Sequence, residues 1–322
     1  MQYTDTVAAA GADPLPTDDQ AAVDELVELL DVTAVTEPDD GSSAADPLIG
    51  LAGVFQGRAA AGIPAVRRMY GGLIIGQALT AAGRTVAPGR PVHSLHGYFT
   101  RRGNERTPIT LRVENLRDGN SISTRRTVAV QGGAPIFFLT ASFHDPDTGL
   151  DHQPSPPQAP PPDAVATLAQ RLAEVPDELG VFTRSPVDMR YMGNPRWTRG
   201  VRADDDAPHR AWLRVAGKLP DDPLIHAAAM AYLSDLGLLD SVLVEHGETW
   251  GPGGYAGVSI DHTIWFHRPC RADDWLLWDL QSPWASAGRG LATGRMHTAD
   301  GRLVLTAAQE GLVRRIGGRR PR

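Results

Sequence analysis

Two mostly apolar segments with helical character constrain the fold of this 322-residue chain more than any other feature. The first, YGGLIIGQALTAAGRTV, covers residues 70–86, and the second, AAAMAYLSDLGLL, covers residues 227–239. A helix that is apolar almost all round has no polar face for solvent, so the rest of the chain must enclose it. Each helix is therefore predicted to lie at the centre of a folded unit.

Four runs typical of β-strands follow each apolar helix. Asp-Gly and Gly-Gly dipeptides separate several of these runs and predict hairpins. After the first helix the runs are PVHSLHGYFT, PITLRVENL, SISTRRTVAV and APIFFLTASFH, and after the second they are YAGVSIDHTIWFHRP, WLLWDLQSPWAS, GRGLATGRMHT and RLVLTAAQEGLVRR. A further extended region, SPVDMRYM and HRAWLRVAG, precedes the second helix, which begins with Asp222 as N-cap and Pro223 as first residue.

The two halves also share residues. YFTRR (98–102) resembles WFHRP (265–269), and IFFLTASF (136–143) resembles RLVLTAAQ (302–309), in both cases about 166–167 residues apart. Two matches at one offset favour an internal duplication over chance similarity between amphipathic strands. The fold class is therefore α+β, a double hot-dog in which two tandem units each wrap an antiparallel sheet around a central helix and join their sheets side by side.

The duplication sets the expected domain boundaries at 21–150 and 181–316. The proline-rich stretch HQPSPPQAPPP lies in the intervening segment, 151–180, and cannot continue a central strand or helix, so this segment is predicted to be a linker and connection. Residues 1–20 are expected to form a disordered tail and 317–322 a basic tail. Apolar residues at helical spacing predict one more helix near the start of the first unit: Ala22, Leu26, Leu29 and Leu30.

Composition excludes several classes of function. The net charge of −7 argues against general nucleic-acid binding, which needs a positive field. The single cysteine, Cys270, rules out an intrachain disulfide, and no metal or cofactor motif is found, so no cofactor is expected. No apolar run approaches the roughly 18–20 residues of a membrane span. With an acidic N-terminus that lacks a basic signal region, these features predict a cytoplasmic protein.

Asp235 is a carboxylate on the apolar face of the second helix. Burying it is costly without compensation, and the C-terminal end of a helix is the unfavourable end of the dipole for a negative charge. A compensating hydrogen-bond network is therefore expected, and a desolvated carboxylate of raised pKa can act as a base. A half-solvated aspartate at a helix end is the alternative.

Ser259 and Gln309 are polar residues within β-rich runs. Strand alternation predicts Ser259 on one face with Asp261, and His262 on the other face with the neighbouring apolar residues. An ordinary strand hydroxyl is the alternative for Ser259, and His262 is more typical of a packed histidine. Gln309 aligns in the repeat with Phe143, which indicates a polar site in one half only, unless Gln309 faces solvent beside Glu310.

The chain resembles the TesB-like acyl-CoA thioesterase II family in the motifs GGLIIGQAL, VHSLHGYFTRRGN, LRDGNSISTRR, PIFFLTASF, LSDLG, IDHTIWFHRP and QEGLVR. The motifs run in family order from about residue 25 to residue 314. The resemblance implies a double hot-dog enzyme that hydrolyses fatty acyl-CoA to free fatty acid and CoA. It also implies that a water is held by Asp235, Ser259 and Gln309. One departure is Leu73, where the family commonly has Gln.

The remaining site predictions concern the substrate. Backbone N–H groups around Gly72 and Leu73 are expected to stabilise the oxyanion. Because CoA is polyanionic, cationic side chains near strand ends are predicted to contact it, and the substrate-binding candidates are His93, Arg101, Arg125 and Arg268. A homo-oligomer through sheet edges is expected. A hydratase-like enzyme on the same scaffold and a non-catalytic acyl-CoA-binding protein remain open alternatives.

Overall fold

The computed structural model describes residues 19–36, 50–60, 69–171, 186–193, 195 and 209–317. Residues 318–322 of the predicted basic tail, residues 1–18 of the predicted N-terminal tail and residues 172–180 of the predicted connecting segment lie outside them. Within the described residues the helices are α1 (Asp19–Leu30), α2 (Gly71–Gly83), α3 (Leu168–Arg171), α4 (Pro223–Ser234) and α5 (Asp240–Val244), with a 3-10 turn at Pro162–Ala164. Helix α1 therefore begins inside the segment predicted as tail.

The described strands form one antiparallel sheet. They are β1 (Thr33–Ala34), β2 (Gly50–Gly57), β3 (Val92–Phe99), β4 (Ile109–Asp118), β5 (Ile122–Gln131), β6 (Ala134–His144), β7 (Val187–Tyr191), β8 (Arg210–Val215), β9 (Tyr255–Ser259), β10 (Asp261–Phe266), β11 (Leu276–Ser286), β12 (Arg289–Thr298) and β13 (Leu303–Arg315). Their order is β1-β2-β4-β5-β6-β3-β10-β13-β12-β11-β8-β7, with β9 also paired to β13. Of these, β2 was not predicted, and the predicted run 255–269 is divided into β9 and β10 at Ile260.

Strands β3 and β10 join the two halves of the sheet. His96 on β3 is paired with Thr263 on β10, and these two residues are 167 positions apart, which is the offset of the sequence repeat. Equivalent residues of the two halves therefore face each other, and the halves are related by a local twofold axis. The predicted α+β double hot-dog is confirmed.

Helices α2 and α4 pack antiparallel inside this curved sheet. A Cβ on Gly72 would lie 2.5 Å from the carbonyl oxygen of Tyr232, and one on Gly76 would lie 3.0 Å from that of Ala228. The missing side chains thus allow the two backbones to approach closely. As a result, the first turn of α2 meets the last turn of α4.

Helix α4 begins as predicted but ends earlier. The side chain of Asp222 accepts a hydrogen bond of 2.9 Å from the backbone N–H of Leu224, and Pro223 is the first helical residue. The helix ends at Ser234, with Asp235 as C-cap, because Gly237 adopts a φ of 70° that an α-helix does not accommodate. Asp235 therefore lies at the junction of the helix and the following turn.

The proline-rich linker is docked on the outer face of the second half. Trp212 Nε1 donates to the carbonyl of Pro160 at 2.8 Å, and Gln153 exchanges hydrogen bonds with the backbone of Gly301 and Leu303 at 2.8 and 3.0 Å. Because prolines have no N–H to donate, the segment is held through its carbonyls and through Gln153 rather than by joining the sheet.

Candidate active site

Asp235 has the compensating hydrogen bonds that its sequence context required. Its Oδ2 accepts from the backbone N–H of Gly72 at 2.8 Å, and its Oδ1 accepts from Gln309 Nε2 at 2.7 Å. The Gly72 N–H belongs to the first turn of α2, which is the positive end of that helix dipole. The positive end of α2 thus stabilises the negative charge of Asp235, which is unfavourable at the C-terminal end of α4.

The environment of this carboxyl group favours its neutral form. Burial raises the pKa of Asp235 to about 6, while the hydrogen bonds from Gln309 and Gly72 act in the opposite direction. The residue as a whole is only partly buried, because it lies at the helix end. At neutral pH the group is ionised, yet its proton affinity is far above that of an ordinary aspartate.

The double glycine at the start of α2, Gly71 and Gly72, makes this contact possible. A Cβ on Gly71 would lie 2.7 Å from Asp235 Oδ2 and 3.1 Å from the Phe99 ring, so only glycine leaves room for the carboxylate. Tyr70, directly before it, donates from its hydroxyl to the carbonyl of Tyr232 at 2.9 Å. The start of α2 is therefore hydrogen-bonded to the end of α4 at two residues, Tyr232 and Asp235.

Gln309 lies in the middle of β13 with its side chain on the inner face, only 1% exposed. Its Nε2 donates to both Asp235 Oδ1 and Ser259 Oγ, the latter at 3.0 Å, so the amide bridges the other two members of the predicted trio. The interpretation that Gln309 faces solvent is therefore wrong.

The strand pairing also identifies the residue of the first half that is equivalent to Gln309. Because His96 is paired with Thr140 and its equivalent Thr263 is paired with Ala308, that residue is Ala141.

The predicted counterpart, Phe143, was therefore two residues out of register. A shift of two keeps a residue on the same face of a strand. For this reason the expected asymmetry, a buried apolar residue in one half and an amide in the other, holds with Ala141.

Ser259 reaches Gln309 because a β-bulge interrupts strand alternation. Ser259 is opposite Gly311 and Thr263 is opposite Ala308, so four steps along β9 and β10 match three along β13. The N–H of Glu310 at the bulge is satisfied by Asp261 Oδ1 at 2.7 Å. The extra residue places Ser259 and His262 on the same inner face, which corrects the alternation predicted from the sequence.

The expected oxyanion donors are only partly available. The Gly72 N–H already donates its hydrogen bond to the carboxylate of Asp235, so it is not free to bind an oxyanion. The side chain of Leu73 is packed in the core, 3% exposed. Its backbone N–H belongs to the first helical turn, where N–H groups have no intrahelical partner.

Arg125, a predicted substrate-binding residue, lies buried within the first half, with its guanidinium group bonded to neighbouring residues of that half. Its side chain is 3% exposed, and all three guanidinium nitrogens donate within the first half. The acceptors are Thr85 Oγ1 and O, Asn115 Oδ1, the carboxylate of Asp118, and the carbonyls of Arg117 and Thr124. This network ties the β4–β5 hairpin to the end of α2.

His93 and Arg268 lie at the wrong end of the central strands. Phe99, at the end of β3, donates to Ile260 O at 2.9 Å beside Ser259, whereas His93 is at the start of the same strand. Six residues of strand span about 20 Å. Arg268 follows the far end of β10 and is paired with Asp151 at 2.5 Å. Neither residue is brought to the trio.

Arg101 differs from the other cationic candidates. It follows Phe99 by two residues, at the end of β3 that adjoins Ser259, and it is exposed. One of its guanidinium nitrogens donates to Pro135 O at 2.8 Å. Of the predicted arginines, it is the one placed at the same end of the sheet as Asp235.

Two further observations concern metal binding and membrane spans. Among the described residues, no group of three or more His, Cys, Asp or Glu side chains is arranged to hold a metal ion. Within that same part of the chain, no helix is long and apolar enough to cross a membrane.

A continuous sheet wrapped around two antiparallel helices defines the chain as a double hot-dog protein. A family model for acyl-CoA thioesterases matches residues 183–312, and a model of the acyl-CoA thioesterase N-terminal domain matches residues 59–144. Each match falls within one half of the sheet, and the match at residues 59–144 begins after β2. The chain belongs to the acyl-CoA thioesterase family.

Individual relatives agree with this assignment. Human acyl-coenzyme A thioesterase 8 is 36% identical over 264 residues, which cover 78% of this chain and 82% of that protein. The crystal structure of the acyl-CoA thioesterase II TesB2 of Mycobacterium marinum is 36% identical, with a TM-score of 0.67, over 91% of this chain and 100% of that one. A hot-dog protein of Alicyclobacillus acidocaldarius, 20% identical with a TM-score of 0.69 over 91% of this chain and 98% of that one, shares the fold.

Proposed function

We propose that this protein hydrolyses acyl-CoA thioesters to free fatty acid and CoA, using a water held by Asp235, Gln309 and Ser259. The observation that carries the proposal is their convergence: Gln309 Nε2 lies 2.7 Å from Asp235 Oδ1 and 3.0 Å from Ser259 Oγ. Three polar side chains from a helix end and two strands meet at one place, where the two halves of the sheet join. Membership of the acyl-CoA thioesterase family supports the same substrate class.

Asp235 acts as the general base in this proposal. With a pKa of about 6 it is ionised at neutral pH and takes a proton from water far better than an ordinary aspartate. The water oxygen attacks the thioester carbonyl, the C–S bond of the tetrahedral intermediate breaks, and the proton passes from Asp235 to the leaving sulfur. The carboxylate is thereby returned to its ionised form.

Gln309 orients Asp235 and Ser259, and these two side chains orient the water. Both N–H groups of the Gln309 amide are used, one on Asp235 and one on Ser259. Ser259 Oγ therefore accepts a hydrogen bond from Gln309 and keeps its own proton to donate to the water oxygen. The water then donates one hydrogen bond to Asp235 and has a lone pair free to attack the carbonyl carbon. This is the near-attack arrangement that catalysis requires.

Ser259 is not the nucleophile in this scheme. A nucleophilic serine needs an adjacent base to accept its proton, and the recorded partner of Ser259 Oγ is an amide donor. His262, which is near in sequence, is instead bonded to Ser234. Direct attack by water follows, with no covalent acyl-enzyme. The backbone N–H of Leu73 is the proposed oxyanion donor.

The test is a thiol-release assay over acyl-CoAs from short to long chains, with wild type, Asp235→Asn and the exposed control Asp274→Asn. Loss of a general base lowers turnover by about 10²–10⁴-fold. We expect that loss in kcat for Asp235→Asn, with acyl-CoA still bound, and wild-type rates for the control. Unchanged kcat in Asp235→Asn contradicts the proposal. Absence of thiol release by wild type, with water addition to unsaturated acyl-CoA instead, favours the hydratase-like alternative.

The proposal also includes the oligomeric state and the cellular location of the protein. In the described part of the sheet the edges are β1 and β7, and we infer association of copies through such edges in a cytoplasmic setting. Measuring the molar mass in solution by light scattering tests the association. A concentration-independent monomer contradicts it.

A further inference from the structure

The residue before Asp235 is held by a second polar contact. Ser234 is the last residue of α4 and is fully buried. Its hydroxyl donates to the carbonyl of Ala231 at 2.9 Å and lies 2.8 Å from His262 Nε2. A hydroxyl has one proton, and here the Ala231 carbonyl receives it. His262 must therefore be the donor through Nε2–H, which leaves its Nδ1 unprotonated.

His262 lies beside Gln309 on the inner face of the sheet. The pairing of β10 with β13 ends at Thr263 and Ala308, and His262 and Gln309 are the next residues along these two neighbouring strands. Two consecutive residues at the end of α4 are thus each bonded to one of two adjacent strand positions. Ser234 is bonded to His262, and Asp235 to Gln309.

A histidine with an unpaired ring nitrogen is energetically unfavourable in a buried position. Its side chain is inaccessible to solvent, and Nδ1 has no hydrogen-bond partner among the described residues. An unpaired buried acceptor lowers the stability of the folded protein. Its counterpart across the local twofold axis is Leu95, which is also fully buried, so an apolar side chain fits the equivalent place.

The half with Leu95 has no carboxylate at its helix end. Helix α2 is capped at its C-terminus by Arg84, where α4 has Asp235. The polar contact to the strand is therefore found in the half that also contains the trio. Packing alone does not account for a histidine there, because Leu95 solves the same packing problem.

We propose that His262 and Ser234 form a positioning pair that anchors the last turn of α4 to β10 and thereby sets the place of Asp235. This inference rests on the proposed role of Asp235 as base. His262 does not touch the substrate or the water in this arrangement. It acts through the helix end, since a misplacement of about 1 Å at a reacting group lowers the rate by about 10²-fold.

Three single variants and one double variant test the pair. His262→Gln keeps an N–H donor near the position of Nε2, His262→Leu reproduces the residue of the other half, and Ser234→Ala removes the acceptor. We expect His262→Leu and Ser234→Ala to lower kcat about 10–100-fold with KM changed less than about threefold. His262→Gln should restore kcat to within about fivefold of wild type. The double variant His262→Leu/Ser234→Ala should be no worse than either single variant, because both remove one interaction.

Several outcomes overturn the inference. Wild-type kcat in His262→Leu or in Ser234→Ala does so, as does a kcat in His262→Gln as low as in His262→Leu. If His262→Leu does not fold, Ser234→Ala and His262→Gln still decide. The exposed His96→Leu is the matched control and should behave as wild type.

The proposed function is tested separately by Asp235→Asn in the same assay. An inactive Asp235→Asn together with a fully active His262→Leu overturns the positioning pair and leaves the proposed function standing. A fully active Asp235→Asn overturns the proposed function and the pair with it.

Discussion

The carboxylate of Asp235, the C-cap of α4, accepts a 2.8 Å hydrogen bond from the backbone N–H of Gly72 in the first turn of α2. Neither helix end is well satisfied alone. The N-cap of α2, Tyr70, makes no side-chain capping bond, and a negative charge is unfavourable at the end of α4. Brought together, the carboxylate caps one helix and the dipole of that helix stabilises the carboxylate. The site therefore exists only when the two halves are packed.

The pKa of Asp235 predicts the pH dependence of activity. Burial raises this pKa to about 6, and the base must be ionised, so kcat/KM should be constant above about pH 7 and fall tenfold per pH unit below about pH 5. Burial lowers the pKa of His262 to about 3 and raises the pKa of Tyr70 and of Tyr232, so these neighbours stay uncharged across this range. A pH–rate profile checks this. A flat profile down to pH 4.5 contradicts the assignment of Asp235 as base.

The hydroxyl of Ser259 is predicted to matter, not the residue as such. Ser259→Ala removes the group that accepts from Gln309 and donates to the water, so kcat should fall about 10²-fold. Ser259→Thr keeps the hydroxyl and should retain activity within about tenfold, since β-branched residues are well accommodated in strands. Steady-state kinetics compare the two. Equal rates in Ala and Thr variants contradict the role of the hydroxyl.

Gly71 is predicted to be irreplaceable. In Gly71→Ala the new Cβ would lie 2.7 Å from Asp235 Oδ2 and 3.1 Å from Phe99, so the carboxylate must move from its place. The variant should lose about 10²-fold in kcat. Gly149→Ala is the matched control, because a Cβ there meets no atom within 4 Å. If Gly71→Ala has wild-type kcat, the close contact is not required for turnover.

Substitution of Arg125 is predicted to lower the stability of the protein much more than substitution of Arg101. Arg125→Leu removes the buried cation that pairs with Asp118 and donates to the carbonyl of Thr85, and it should lower the free energy of unfolding by about 1–3 kcal/mol. Arg101→Ala removes an exposed side chain, and stability should change by less than about 0.5 kcal/mol. Urea denaturation separates the two. Equal stability of the variants contradicts the structural role of Arg125.

Regular elements were predictable because they depend on local pattern. The eight β-rich runs that follow the apolar helices were found from alternation and turn residues, and the start of α4 from Asp222 and Pro223. Strand β2, GLAGVFQG, was missed because its glycines weaken the strand pattern. The end of α4 was placed too late because the effect of Gly237 depends on a backbone angle that its neighbours impose.

The site was only partly predictable. Residue types identified Asp235, Ser259 and Gln309 as candidates, whereas strand alternation put Ser259 and His262 on opposite faces. A bulge of one residue reverses that relation, and a bulge has no clear local signature. Ser234 and Tyr70 were missed altogether. The signal at Tyr70 was an aromatic residue directly before a glycine pair, and its meaning depends on the partner helix.

By itself the sequence determined most of the helices and strands, the duplication and the enclosure of two apolar helices, because hydrophobic period and turn chemistry act over a few residues. It also marked Asp235 as a charge that needed compensation. Only the tertiary structure decided what supplies that compensation. The donors are Gly72 and Gln309, 163 and 74 residues away, and they reach Asp235 only through the packing of α2 on α4 and the register of β13. Such long-range contacts are set by the whole fold, so no local pattern encodes them.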